Sequence, residues 1–184
     1  MKKISEIVIT PEQILLNDKN IDIIKEGACL LNDAYKQYVN NYPKFYKMDG
    51  LCKLGFLASE LLLMDSTDER FMPREDRAII LFSRSGSINA DKHYQTTISD
   101  ANNFFPSPSA FVYTLPNIVT GEIAIRNKYY GETSFFVMDH YDGPTVHRII
   151  EAAFTDECIK SALTGWIEYY NTYCFEARIY LICK

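Results

Sequence analysis

The stretch TLPNIVTGEIAIRNKYYGETSFFVMDH, residues Thr114 to His140, decides the fold of this chain. Its first part belongs to a longer segment, residues 109–126, whose apolar side chains recur at helical spacing. We predict a helix there, although Pro116 and Gly121 both disfavour a helix interior. Its second part, TSFFVM, is a short apolar run typical of a strand buried on both faces. A helix that leads through a turn into a buried strand is a building unit of α/β proteins.

The rest of the chain continues this alternation of short apolar runs and longer amphipathic segments. The runs predicted as strands are residues 4–10 (ISEIVIT), 77–83 (RAIILFS) and 176–183 (EARIYLIC). The segments predicted as helices are residues 21–39 with Asn20 as cap, 51–63 with Asp49 as cap, 88–101, 143–156 and 157–171. This order predicts an α/β protein with three layers, α-β-α, around a mostly parallel central sheet. No linker or repeat interrupts the pattern, so we expect one domain over residues 1–184.

The composition narrows the classes of function. The 184 residues are 47% hydrophobic and 23% charged, which suits a globular domain with a substantial core. The net charge of −5 and the lack of a basic run argue against nucleic-acid binding. The start, MKKISEIVIT, lacks the long apolar run of a signal peptide, and no stretch reaches the roughly 18 apolar residues of a membrane span. We therefore expect a cytoplasmic protein that does not span a membrane.

The sequence offers little for a metal or a cofactor. The five cysteines include no pair at CxxC spacing, and the three histidines are scattered. Asp139, His140 and Asp142 are candidate ligands, but two of them are adjacent and adjacent side chains point apart. The turn SRSGS, residues 83–87, has one glycine and no lysine followed by a hydroxyl, so it is read as a plain strand–helix turn. Glu168 is read as a solvated carboxylate, and we predict no metal and no cofactor.

One segment, residues 106–137, resembles the region before the active site of β-ketoacyl synthases, the condensing enzymes of fatty-acid and polyketide synthesis. In that family a helix with the pattern N-x-x-x-G-x-I-x-I-R leads through a Gly-Pro turn into a buried strand and then Thr-Ala-Cys. The helix residues that match are Asn117, Gly121, Ile123, Ile125 and Arg126. The turn glycine corresponds to Gly131, Glu132 replaces the proline, and residues 133–137 match the strand.

Two upstream segments extend the resemblance to residues 48–137. KMDGLCKLGFLASELLL is similar to the family's M-D-x-x-x-K-L helix, and RAIILFSRSGS is similar to its strand-to-glycine segment. The final run, EARIYLICK, resembles the strand that precedes the crossing into the family's C-terminal half. The resemblance therefore implies the N-terminal half of a thiolase-like fold, in which the last strand lies inside the sheet. It also implies a large apolar face, on which the C-terminal half packs in the family.

The departures from the family concern catalysis. Counting nine residues from Gly131, the nucleophilic cysteine of the family corresponds to His140, preceded by Met138 and Asp139 in place of Thr-Ala. The family's reaction needs a thiolate at a helix N-terminus, and its two essential histidines belong to the C-terminal half. Cys158 lies eighteen residues past the expected position, behind a predicted helix. The resemblance thus implies no catalytic residue here, with His140 and its neighbour Asp139 in the nucleophile's place.

Three functions are consistent with these observations. The first is an inactive ketosynthase-like accessory subunit that forms a homodimer, or a heterodimer with an active β-ketoacyl synthase, in fatty-acid or polyketide biosynthesis. An acyl carrier protein is a further partner, for which Arg126, Lys128 and Arg148 could form a basic patch. The second is a thioester hydrolase in which His140 beside Asp139 acts as general base. The third is a small-ligand-binding α/β domain, whose last strand would lie at a sheet edge.

Overall fold

The computed structural model describes residues 1–24, 29–65, 68–102 and 104–184. Its strands are β1 (Lys2–Ile9), β2 (Ile14–Leu16), β3 (Lys19–Asn20), β4 (Arg77–Ser83), β5 (Thr133–Val137), β6 (Ser161–Asn171) and β7 (Cys174–Cys183). Its α-helices are α1 (Leu30–Tyr38), α2 (Gly50–Leu62), α3 (Ile88–Thr96), α4 (Pro108–Val112), α5 (Ile118–Asn127) and α6 (Gly143–Ala153). Within the described ranges, no helix is both long and apolar enough to cross a bilayer.

The strands form one sheet in the order β3-β2-β1-β7-β6-β4-β5. Strands β5 and β6 run parallel to β4, whereas β1 pairs antiparallel with β2 and β7, β2 with β3, and β6 with β7. The α/β class is confirmed, but the expectation of a mostly parallel sheet is wrong, because the sheet is mixed. Strand β7 lies between β1 and β6, inside the sheet, as the ketosynthase resemblance implies.

The main error of the sequence prediction is the segment 157–171, which forms strand β6 and not a helix. Its apolar residues satisfy a helical spacing, but Leu163, Ile167 and Tyr169 also alternate along one face of a strand and are buried. The hairpin with β7 provides the deciding partner, since it pairs β6 along almost its whole length. A long-range pairing of this kind overrides local spacing.

The predicted N-terminal helix also begins later than expected. Asn20 belongs to β3 and caps no helix, because β2 and β3 form a short hairpin whose turn residues Asn17 and Asp18 adopt left-handed conformations. Helix α1 begins at Leu30, and part of the predicted segment, residues 25–28, lies outside the described residues. A turn with φ values of 50° and 64° is tolerated best by Asn, Asp and Gly, so this hairpin has a signal in the sequence.

The predicted helix 109–126 is divided into α4 and α5 around Pro116, as the proline's missing N–H requires. Asp49 caps α2 as predicted, because its carboxylate accepts hydrogen bonds from the N–H groups of Leu51 and Cys52. The strand prediction for residues 133–137 is correct in type, but β5 is the end strand of the sheet and its side chains are exposed or half-buried. Strands β1, β4 and β7 and helices α3 and α6 occupy the segments predicted for them.

Two apolar cores lie on opposite faces of the sheet, which confirms the three-layer arrangement. Helices α1, α2 and α5 pack on the first face, where the larger core is built around residues such as Leu54, Phe56 and Ile123. Helix α6 packs on the second face, over β4 and β6, through Val146 and Ile150. Strand β7 contributes Ile182 to this smaller core, and Tyr180 packs against it.

Candidate functional site

The parallel strands β4, β5 and β6 bring three chain segments to one edge of the sheet. These are the turn 83–87 after β4, the loop 138–142 after β5, and the distal part of β6 around Glu168. In open α/β sheets, the crevice outside the carboxyl ends of parallel strands is the usual place for a ligand or a catalytic group. This edge is therefore the candidate site. It contains His140, the residue that corresponds to the nucleophilic cysteine in the ketosynthase resemblance.

His140 lies on the exposed loop between β5 and α6. Its side chain is 77% exposed and that of Asp139 is 93% exposed, with 3.6 Å between His140 Nδ1 and Asp139 Oδ2. The N-cap of α6 is Asp142, whose Oδ2 accepts the Thr145 N–H at 3.2 Å. The hydrogen bonds from Thr145 lower the pKa of Asp142. His140 thus stands two residues before the cap and away from the N-terminal amides that activate a helix-borne nucleophile.

Neither Cys52 nor Cys158 supplies a thiolate at this edge in place of His140. Cys52 is buried in α2, and its burial raises the pKa of its thiol well above the usual range, so it is uncharged at neutral pH. Cys158 lies in a pocket with Asp76 and Tyr130, which precede β4 and β5. It therefore lies at the opposite edge of the sheet from His140. Within the described ranges, no group of three or more metal-ligating side chains is found.

Glu168 makes contacts that the sequence prediction missed. Its carboxylate accepts the backbone N–H groups of Arg84, at 2.5 Å, and of Ser85, at 3.0 Å, and it also accepts the Ser85 hydroxyl. The turn SRSGS therefore does hold an anionic group, which comes from the neighbouring strand β6. The prediction of a solvated Glu168 is wrong because a sequence pattern does not show which side chain faces a turn 83 residues away.

Arg126, a candidate for a carrier-binding patch, is instead part of an internal ion-pair cluster. Its Nε and Nη2 each lie 3.1 Å from one oxygen of the Glu60 carboxylate, and Arg70 Nη2 lies 2.5 Å from the same group. The Glu60 side chain is 4% exposed and the two arginines 11–13%. The paired carboxylate and the rings of Tyr42 and Phe71 hold Arg126 between α2 and α5. It does not face a partner as a free cation.

A groove of about 810 Å³ lies beside α6 on the second face of the sheet. Val146 and Ile150 of α6 line one side, and the sheet lines the other with Trp166, Lys3 and Arg178, of which Trp166 and Arg178 are directly paired between β6 and β7. Both cations pair with Glu6, so this wall carries its own ion pairs. The groove is therefore lined by both apolar and charged side chains.

Exposed apolar side chains occur at the end of β5 and in the segment that precedes α5. Phe105, Phe111 and Leu115 are 74%, 50% and 47% exposed, and Val137 at the end of β5 is 58% exposed. The turn at Gly86 lies between Val137 and Pro116, because a Cβ at Gly86 would lie 3.3 Å from Val137 and 3.8 Å from Pro116. In the described part of the chain, no strand pairs with the outer edge of β5. Exposed apolar groups beside an unpaired strand are typical of an interaction surface.

Comparisons with known proteins give the same fold. No family model matches the chain, and no curated protein matches it by sequence. The solved structure described as the ishigamide ketosynthase/chain length factor aligns with 99% of this chain and 61% of its own, at a TM-score of 0.72 and 15% identity. The ketosynthase ApeO in complex with its chain length factor ApeC, from Xenorhabdus doucetiae, aligns with 78% of this chain and 62% of its own, at a TM-score of 0.60 and 14% identity.

These similarities establish a ketosynthase-like thiolase fold for the chain. The chain spans about three fifths of the length of the solved chains that it matches. The likeness to the ishigamide structure covers nearly all of this chain, and the last strand of this chain, β7, lies inside the sheet. This is the feature by which the sequence analysis separated the ketosynthase-like fold from a ligand-binding domain with the last strand at an edge.

Proposed function

We propose that this chain is a catalytically inactive ketosynthase-like subunit that pairs with an active β-ketoacyl synthase. The observation that carries the proposal is the loop after β5: the fold provides the strand and the helix that frame a ketosynthase nucleophile, but the loop between them presents His140. We assign His140 to the nucleophile's position and give no residue of this chain a catalytic role. The chain then contributes to the complex by its shape and surface.

The chemistry of His140 supports this assignment. An acyl-transfer nucleophile is activated by a neighbouring base or by helix amides, and it works beside an oxyanion hole. His140 is exposed to solvent, lies 3.6 Å from the still more exposed Asp139, and precedes the cap of α6. An imidazole in this setting has neither the enclosure nor the amide donors that a thioester reaction requires.

The two outer strands of the sheet, β3 and β5, differ in a way that favours a partner at β5. At one edge, β2 and β3 are only three and two residues long and β3 is polar and exposed, which blocks strand addition. At the other edge, β5 is five residues long and has no charge, proline or bulge. Its even-numbered residues bond to β4, since Met138 donates to Ser83 and Glu132 accepts from Ile79. The backbone groups of Thr133, Phe135 and Val137 therefore point outward, ready to pair.

The identity of the partner rests on the two solved assemblies, each of which is described as a ketosynthase with a chain length factor. We assign this chain to the inactive side of such a pair, in polyketide-type or fatty-acid-type biosynthesis, with residues 1–184 as one unit and with the cytoplasm as its location. A carrier protein would dock mainly on the ketosynthase. The net charge of −5 opposes contact with an acidic carrier, and burial of Arg126 leaves Lys128 and Arg148 for a basic patch.

The alternative of a His140-dependent hydrolase is tested by a thioester assay. The purified wild-type chain and His140→Ala are each incubated with acyl-carrier and acyl-CoA thioesters, and thiol release is followed. We expect both proteins to match the uncatalysed rate, because neither presents an activated base. Turnover by the wild type that disappears in His140→Ala would establish the hydrolase and overturn the proposal of an inactive subunit.

A further inference from the structure

The turn after β4 is arranged around a single carboxylate. The backbone N–H groups of Arg84 and Ser85 and the hydroxyl of Ser85 all donate to Glu168, which projects from β6. Both carboxylate oxygens are used: one accepts from Arg84, the other from Ser85. Successive backbone N–H groups that converge on one point form an anion-binding concavity, like those that hold phosphates in other proteins.

The turn is held in this shape by contacts that do not involve Glu168. The hydroxyl of Ser83, which is fully buried, accepts the N–H of Gly86 at 2.9 Å. Gly86 has a φ of 53°, a left-handed conformation that glycine adopts without strain. On the far side, the Ser87 hydroxyl donates to the Thr114 carbonyl at 2.6 Å. We call the concavity formed by the N–H groups of Arg84 and Ser85 the cradle. Its shape is set by the backbone and by the serines of the turn, so both N–H groups would keep their positions if the carboxylate were removed.

A second carboxylate in the sheet favours the orientation of the Glu168 side chain towards this cradle. Glu168 lies directly opposite Glu176 in the β6–β7 pair, on the same face. Like charges at directly opposed positions of an antiparallel pair repel each other. The turn amides offer charge-assisted hydrogen bonds that favour the ionised carboxylate. The contact thus relieves a repulsion on one side while it satisfies backbone donors on the other.

We infer that the turn 83–87 is an oxyanion site that the chain fills with its own Glu168 carboxylate. The tether through β6 holds this carboxylate at a local concentration far above that of free anions in solution. The contact therefore excludes phosphate and carboxylate groups of other molecules from the carboxyl end of β4. It is an autoinhibitory contact at the edge of the sheet where the fold would otherwise accept an anionic ligand.

Amide NMR with simple anions tests this inference. The probes are inorganic phosphate and acetate, titrated against wild type, Glu168→Ala and the matched control Glu176→Ala, which removes the same charge from the facing position of β7. We expect the Arg84 and Ser85 amide signals of Glu168→Ala to shift and saturate with phosphate, with an affinity at least about tenfold above that of wild type and Glu176→Ala. Saturation with acetate as well would identify a general oxyanion site; saturation with phosphate alone would identify a phosphate-selective one.

Two outcomes would overturn the inference. In the first, Glu168→Ala is folded but its Arg84 and Ser85 signals respond to the anions no more than those of Glu176→Ala. The second concerns Glu168→Gln, which keeps the shape of the side chain. This variant tests whether the carboxylate occupies the cradle even if the alanine variant does not fold. The lost charge should weaken both hydrogen bonds and move the two amide protons upfield, with no such change in Glu176→Gln. Unchanged amide protons in Glu168→Gln would show that the carboxylate does not occupy the cradle.

Discussion

Asp49 performs two opposing roles at the start of α2. Its carboxylate satisfies the N–H groups of Leu51 and Cys52, which stabilises the helix. The same carboxylate is largely removed from water, and this burial raises its pKa above the ordinary value of 3.8 despite the hydrogen bonds. The folded state therefore binds the Asp49 proton more tightly than the unfolded state does. The cap stabilises the helix, whereas the charge on the cap opposes folding.

We expect Asp49→Asn to be more stable than wild type near neutral pH. Asparagine caps a helix about as well as aspartate, and it is uncharged. Because a raised carboxyl pKa makes stability fall as the pH rises past it, the advantage of the variant should vanish below 3.8, where aspartate is protonated in both states. Urea unfolding on both sides of this pH measures the effect. Asp49→Ala is the control, and loss of the cap should make it about 1 kcal/mol less stable than Asp49→Asn at each pH; an Asn variant less stable than wild type at neutral pH would contradict the argument.

Among the elements, β6 depends on one glycine. A Cβ at Gly165 would lie 2.0 Å from the Arg178 carbonyl oxygen and 2.7 Å from the Ile179 Cα, both of them backbone atoms of β7. Backbone atoms of a central strand cannot move aside without loss of the hairpin ladder. The close approach of β6 and β7 at this point therefore requires glycine.

Gly165→Ala should destabilise the protein by about 3 kcal/mol or more, since it forces the central hairpin apart. Gly121→Ala is the matched control, because a Cβ at Gly121 meets nothing within 4 Å and the residue lies inside α5. There the same substitution should stabilise the protein by roughly 0.5 to 1 kcal/mol through helix propensity. Denaturant unfolding of both variants decides the point, and similar free energies of unfolding for the two would contradict this account of β6.

The end strand β5 provides the test of the proposed interface. Val137→Lys places a charge on its outer end, where lysine is a common block to strand addition. We expect binding of the ketosynthase partner to weaken by at least about tenfold while the stability of the isolated chain changes little. Ile4→Lys, at a half-exposed residue of the interior strand β1, is the control and should bind normally. Equal binding by both variants would place the interface elsewhere.

Local patterns predicted single elements better than they predicted the sheet. The cap at Asp49, the apolar run 77–83 and the helix 143–156 each have a signal within a few residues, and the structure contains all three elements. The segment 157–171 was mistaken for a helix because its spacing fits both structures, and its strand depends on the distant partner β7. The same limit applies to Glu168 and Arg126, whose partners are 83 and 66 residues away.

At the scale of the whole molecule, the ordered set of family motifs was a stronger guide than periodicity. Three motifs between residues 48 and 137 implied a thiolase-like fold with its last strand inside the sheet, and the structure has both features. Periodicity alone implied a mostly parallel sheet and missed β2, β3 and β6. The motifs succeed because they encode long-range packing that each local window lacks.

The central claim is that this chain functions as the inactive partner of a ketosynthase. The most direct measurement is native mass spectrometry of the tagged chain purified from its own cells, with peptide identification of whatever remains bound. We expect one copy of this chain with one copy of a thiolase-fold chain that carries the cysteine and the two histidines of an active β-ketoacyl synthase. A chain that is found as a monomer, or only with copies of itself, would contradict the account.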